Sequence, residues 1–150
     1  MIENGILKQE FLSVFRGQLM KWDYGKQVHH KPKNRYGNLL PYDHSRVVLD
    51  TQDNDMNTDY INANFVDGYK CPNRYVATQG PLPNTINDMW RMIWQLDCHQ
   101  IVMLTSLDEG GKNKCDKYWT EQTSIYGTIK VSLTKTEIFA DYIIRSFIAE

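Results

Sequence analysis

A chain of 150 residues and 17.6 kDa is long enough for one domain with its own hydrophobic core. Hydrophobic residues make up 41% and charged residues 23%, which argues against a disordered polypeptide, and no apolar run approaches the length of a membrane span. A formal net charge of −1 gives no overall attraction for nucleic acid, and three cysteines without a C-x-x-C pair predict free thiols in a reducing compartment.

The start, Met1-Ile2-Glu3-Asn4-Gly5, lacks the basic and apolar segments of a secretory leader, so the expected location is the cytoplasm. Leu7, Phe11, Leu12, Val14, Phe15 and Leu19 are spaced for one face of a first helix, weakened at Gly17 and ended before Gly25. Lys21, Lys26, Lys31, Lys33 and Arg35 then face only Asp23, with His29 and His30 among them. This is either a solvated basic face or a rim that attracts acidic, phosphorylated peptides.

Residues 46–49 read as a short strand, 50–59 as a polar turn and 60–66 as a second strand paired with the first. Ile61, Ala63 and Phe65 share one face of that strand, and Asn62 and Asn64 share the other. A third strand covers 75–78. The segment from Thr85 to Asp97 reads as a helix, capped at Thr85 with Asp88 three residues on. Its apolar stripe is Ile86, Met89, Trp90, Ile93 and Leu96. The run Ile101-Val102-Met103-Leu104 is expected to be a strand buried on both faces, which would make strand, helix and strand a right-handed parallel crossover. Ile125, Gly127, Ile129, Val131 and Leu133 alternate as one strand, and 138–148 can pair back on it. Trp90, Trp94 and Trp119 are expected as core anchors. The element order predicts a single α/β domain over residues 1–150.

Four motifs punctuate this series: Lys33-Asn34-Arg35-Tyr36, Asp59-Tyr60-Ile61-Asn62-Ala63-Asn64, Tyr75-Val76-Ala77-Thr78-Gln79-Gly80-Pro81-Leu82, and Lys114-Cys115 followed by Tyr118-Trp119. In that order and spacing the chain resembles the N-terminal half of the protein tyrosine phosphatase family. The resemblance implies an incomplete phosphatase fold with a mixed central sheet and flanking helices. It also implies that Tyr36 walls a phosphotyrosine slot next to Arg35. By general preference alone, Tyr36 would instead be a partly buried surface tyrosine. Asn38 stands where the family usually has an aspartate that holds the substrate backbone. Its amide oxygen can still accept a hydrogen bond, without the charge that strengthens it. Glu109 and Lys114 match the glutamate and lysine of a loop beside the family's active site; with their partners absent here, both are expected in solvent.

The family's catalytic signature, H-C-x-x-x-x-x-R, is not in the sequence. Ala77, Leu104 and Glu121 occupy the arginine offset after Cys71, Cys98 and Cys115, and no Trp-Pro-Asp supplies a general acid. Without nucleophile or phosphate clamp, no catalytic residue is predicted. Gly110-Gly111-Lys112 lacks the spacing of a phosphate-binding loop, no G-x-S-x-G frame supports a serine triad, and His29, His30, His44 and His99 lack zinc-site spacing, so neither metal nor cofactor is expected. Compact single-domain sequences of this kind are similar to phosphatase-like proteins of bracoviruses. That likeness implies phosphotyrosine proteins of an infected host cell as partners, and a decoy role in signalling or immunity. A phosphate-independent interaction module and a decaying gene copy are the alternatives. In the family, further strands flank the segments 101–104 and 75–78; repacking, dimerisation and partial melting are all open at this point.

Overall fold

The computed structural model describes residues 4–15 and 17–150; Met1, Ile2 and Glu3, read above as lacking a leader, lie outside them, as does Arg16. Helix α1 (Asn4–Ser13) is shorter than the apolar spacing predicted. Gly17, at φ 104°, lies in a conformation closed to most side chains and to any helix, and the apolar residues Leu7, Leu12, Phe15 and Leu19 are exposed.

Strands β1 (Arg46–Val48), β2 (Tyr60–Gly68) and β3 (Cys71–Thr78) form a three-stranded sheet in sequence order. Val48 pairs with Tyr60, and Ala63 with Thr78. The predicted faces of β2 are realised. Ile61 and Ala63 enter the core, and Asn62 is buried on the opposite side beneath the loop that carries Tyr36.

Helix α2 (Ile86–Gln95) covers the core face of this sheet. Met89, Trp90 and Met92 are buried, with Ile86, Ile93 and Leu96 packed around them. Trp90 stacks on Tyr126 at 5.5 Å, and its Nε1 donates to the Tyr118 carbonyl at 2.8 Å. The expected capping box is not used. Thr85 Oγ1 accepts from the Leu82 N–H and makes no bond to α2, while Asp88 pairs with Lys33 at 3.0 Å and Arg91 at 2.8 Å. A cationic neighbour outcompetes the local cap for that carboxylate.

Beyond α2 the structure departs from the sequence reading. Residues 101–104 form no strand, so the parallel crossover is absent, and every strand pair among the described residues is antiparallel rather than part of a mixed sheet. Trp94, expected as an anchor, is 57% exposed because it lies on the side of α2 away from the core, beside that unformed strand in sequence. Trp119 is partly buried and packs against the core.

Strands β4 (Asp108–Glu109) and β5 (Lys112–Asn113) form a small hairpin turned by Gly110 and Gly111, both at positive φ. The alternating run 125–133 is two strands rather than one. Strand β6 (Thr123–Tyr126) turns at Gly127, φ 64°, into β7 (Ile129–Ile138), which pairs with β8 (Ile143–Ala149). Ile129 and Val131 of β7 close the core against α2 and the 115–118 segment. The result is an α/β fold with its core closed around β2 and with the 101–104 segment left without a strand neighbour among the described residues.

Candidate functional site

The loop from Lys33 to Asn38 is held from below by side-chain amides. Asn34 Oδ1 accepts from the Tyr60 hydroxyl at 2.6 Å and from Asn62 Nδ2 at 2.9 Å, and Asn34 Nδ2 donates to the Gly25 carbonyl at 3.0 Å. Gln79 grips the loop from the sheet side. Its Oε1 accepts from the Arg35 N–H and its Nε2 donates to the Lys33 carbonyl, each at 2.8 Å. Gly80 must lack a side chain here, because a Cβ would run into the Lys114 carbonyl and lie 2.9 Å from the Cys115 Cα. Neighbouring motifs of the sequence thus meet in one polar lattice, in which the buried amide of Asn62 and the half-buried amides of Asn34 and Gln79 all find partners.

Arg35 does not face outward. Its guanidinium bonds the Gly80 carbonyl at 2.9 Å, the Pro81 carbonyl at 2.6 Å, Asn113 Oδ1 at 2.6 Å and Asp116 at 2.8 Å, with little of the side chain exposed. Lys33 is likewise drawn in, to Asp88 and to the Tyr60 carbonyl at 3.2 Å. The basic stretch therefore divides: Lys33 and Arg35 clasp the fold, and the exposed cations are Lys21, Lys26 and Lys31, of which Lys26 pairs with Asp23 at 3.4 Å.

Tyr36 stands at the surface, 38% exposed, with Lys114 Nζ 5.8 Å from its ring centre and 3.4 Å from its hydroxyl. Asn38 is exposed two residues on, at the edge of an open groove lined by Trp22, Leu39, Tyr42 and Asn64. Glu109 is exposed but not idle. It accepts from Thr105 Oγ1 at 2.8 Å and the Ser106 N–H at 3.1 Å, bonds that hold its carboxyl below the usual range, with Lys114 adding a smaller pull. The structure thus brings Tyr36 and Lys114 together, leaves Asn38 beside them on the same loop, and turns Arg35 inward.

Asp116 and Gln79 were not singled out by residue type, although the Gln79-Gly80 pair sits in a recognised motif. His30 was read as part of a basic face; it is instead fully buried, stacked on Tyr60 at 4.2 Å, with Nδ1 donating to the Tyr24 carbonyl at 2.8 Å. Burial pushes its pKa down, and Nε2 has no partner among the described residues. Of the thiols, Cys115 is buried in the core and Cys98 half-buried. Burial raises both pKa values, which disfavours the reactive thiolate.

Comparison of the sequence with known families matches protein-tyrosine phosphatase over residues 30–150. The chain belongs to the protein-tyrosine phosphatase family. Similar curated proteins include receptor-type tyrosine-protein phosphatase F of Bos taurus and of Rattus norvegicus, each 47% identical over 140 residues, 93% of this chain. Receptor-type tyrosine-protein phosphatase S of Gallus gallus is 46% identical over 146 residues, 97% of the chain. This phosphatase-family chain spans 7% of the length of the first two relatives and 10% of the third. Among its described residues, no helix is long and apolar enough to cross a membrane.

Proposed function

We propose that the 150 residues constitute one phosphatase-like unit that recognises phosphotyrosine weakly and does not hydrolyse it. The observation that carries this reading is the set of three cysteines. None has an arginine at the signature offset, and burial holds Cys98 and Cys115 away from the thiolate form. The retained recognition feature is Tyr36 with Lys114 beside it, on a loop locked by Asn34 and Gln79. An exposed cation–π arrangement contributes only about 0.5–1 kcal/mol, and ordering a free peptide opposes it.

Turnover of p-nitrophenyl phosphate and of a phosphotyrosine peptide tests the catalytic half of the proposal. No activity above a buffer blank is expected at any pH; activity abolished by changing one cysteine would overturn it. Titration of a labelled phosphotyrosine peptide tests the recognition half. The expected affinity is on the order of millimolar, weakened by salt and lost in Tyr36→Ala. Micromolar, salt-insensitive binding that survives Tyr36→Ala would place recognition elsewhere.

A decoy that disturbs signalling in a host cell is the cellular role this reading favours. It rests only on the resemblance to bracovirus phosphatase-like proteins read from the sequence, whereas the relatives named above are receptor-type tyrosine-protein phosphatases of vertebrates. A phosphate-independent interaction module is the second reading, favoured by the exposed apolar run at 101–104.

A further inference from the structure

His30 fills the turn that supports the Tyr36 loop. Its ring is fully buried, stacked on Tyr60 with 17° between the planes, tilted against Tyr24 at 4.7 Å and met edge-on by His29 at 4.2 Å. The turn closes this tightly because residue 25 is glycine; a Cβ there would lie 2.8 Å from the Tyr60 hydroxyl. The Tyr24 carbonyl can only accept, so Nδ1 carries the ring proton. Nε2 is then a bare, buried lone pair with no donor among the described residues.

A proton taken up at Nε2 creates a buried cation whose new N–H has no acceptor there. The surrounding charges do not compensate it. Asp59 has both oxygens engaged, Oδ1 by the Tyr24 hydroxyl at 2.7 Å and Oδ2 by Arg46 at 2.9 Å. Asp43 accepts from the N–H groups of Asp23 and Tyr24, each at 3.0 Å. Lys33 and His29 both oppose a charge on His30, and the Arg46 guanidinium lies 3.8 Å from the centre of the Tyr24 ring. The same histidine is tied to the loop. Its carbonyl accepts from the Lys33 N–H at 2.9 Å and from Asn34 Nδ2 at 3.2 Å. Tyr60, on which the ring stacks, donates its hydroxyl to Asn34 Oδ1 at 2.6 Å. Displacing the ring thus disturbs both ends of the Asn34 amide, which holds the loop to β2.

We propose that His30 is a proton-operated latch: protonation at Nε2 expels the ring from its stack on Tyr60 and frees the loop of residues 33–38 from β2, while the core stays folded. Val47, Ala63, Met89 and Trp90 belong to a core cluster that contains neither His30 nor Tyr60, so the loop can open locally. The latch concerns the attachment of the loop and stands or falls separately from phosphotyrosine recognition.

Hydrogen exchange of the full chain, corrected for the intrinsic pH dependence of amide exchange, tests the latch from neutral to mildly acidic pH. His30→Gln is the comparison, because its amide can donate to the Tyr24 carbonyl but takes up no proton in that range. In the wild type, the hydrogen-bonded amides of Lys33, Asn34 and Arg35 should lose protection about tenfold for each pH unit below the ordinary histidine value of 6.5, one proton being bound by the open state. The amides of β2 and α2 should keep theirs, and in His30→Gln the loop should not respond to pH. Nuclear magnetic resonance of the wild type gives a second readout that needs no variant: the His30 Cε1 proton and the Asn34 side-chain amide should titrate with one midpoint. Loop protection independent of pH, equal losses in loop and core, the same loss in His30→Gln, or separate midpoints for His30 and Asn34 would each overturn it.

Discussion

Two stretches of strand-forming sequence end in opposite environments. Tyr60-Ile61-Asn62-Ala63 contains a polar amide and is buried throughout, whereas Ile101-Val102-Met103-Leu104 is wholly apolar and has three of its four residues exposed. The difference lies in the backbone. β2 has β1 on one side and β3 on the other, its polar face is satisfied by Asn34, and its apolar face meets α2. Among the described residues the 101–104 run has no partner for its N–H and C=O groups, and such groups stay in water when nothing pairs with them. Between these two stretches burial follows pairing rather than side-chain hydrophobicity, although pairing alone does not bury a strand: β3 is paired and largely exposed.

The comparison breaks most sharply at Trp90. Trp90→Ala should cost about 3–5 kcal/mol, read from the urea midpoint, because it opens a cavity and orphans the Tyr118 carbonyl. A negligible shift would mean that the side of the fold around β2 is as loosely held as 101–104. Arg35→Met should cost about 2–3 kcal/mol, since Asp116 and two backbone carbonyls lose a charged donor while the methionine keeps the bulk. Little effect would show that the clasp is dispensable and that Arg35 is available for other work.

His30 sharpens the contrast through pH. Its folded pKa lies below the ordinary 6.5, chiefly from burial, so above that value both folded and unfolded states hold it neutral and its contribution to stability is intact. As pH falls below 6.5, the unfolded chain takes up the proton first, and stability declines until the folded pKa is reached. Urea midpoints measured from neutral to mildly acidic pH should therefore fall, and fall less in His30→Gln. Equal slopes for the two proteins would refute a buried neutral histidine. The smallest effect belongs to the open side. Trp94→Gln should shift stability by no more than about 0.5 kcal/mol while removing a red-shifted, solvent-exposed component of the tryptophan emission.

Alternation and turn residues sufficed to place β1, β2 and the second half of β3, whose first four residues, Cys71 to Arg74, lie outside the strand read at 75–78, and the spacing of Ile86, Met89, Trp90 and Ile93 sufficed for α2, because these patterns depend on the local period of the backbone. The motif series around Tyr36 was legible as well, since it is carried by residue identity. Three things required the tertiary structure. Arg35 reads as one more cation of a basic loop, and only the approach of Gly80, Pro81, Asn113 and Asp116 from distant parts of the chain turns it inward. His30 reads as surface until Tyr24 and Tyr60 enclose it. The run at 101–104 has every local mark of a buried strand and is not one, because a strand is completed by hydrogen bonds to other strands, and the local sequence does not decide whether those neighbours are there.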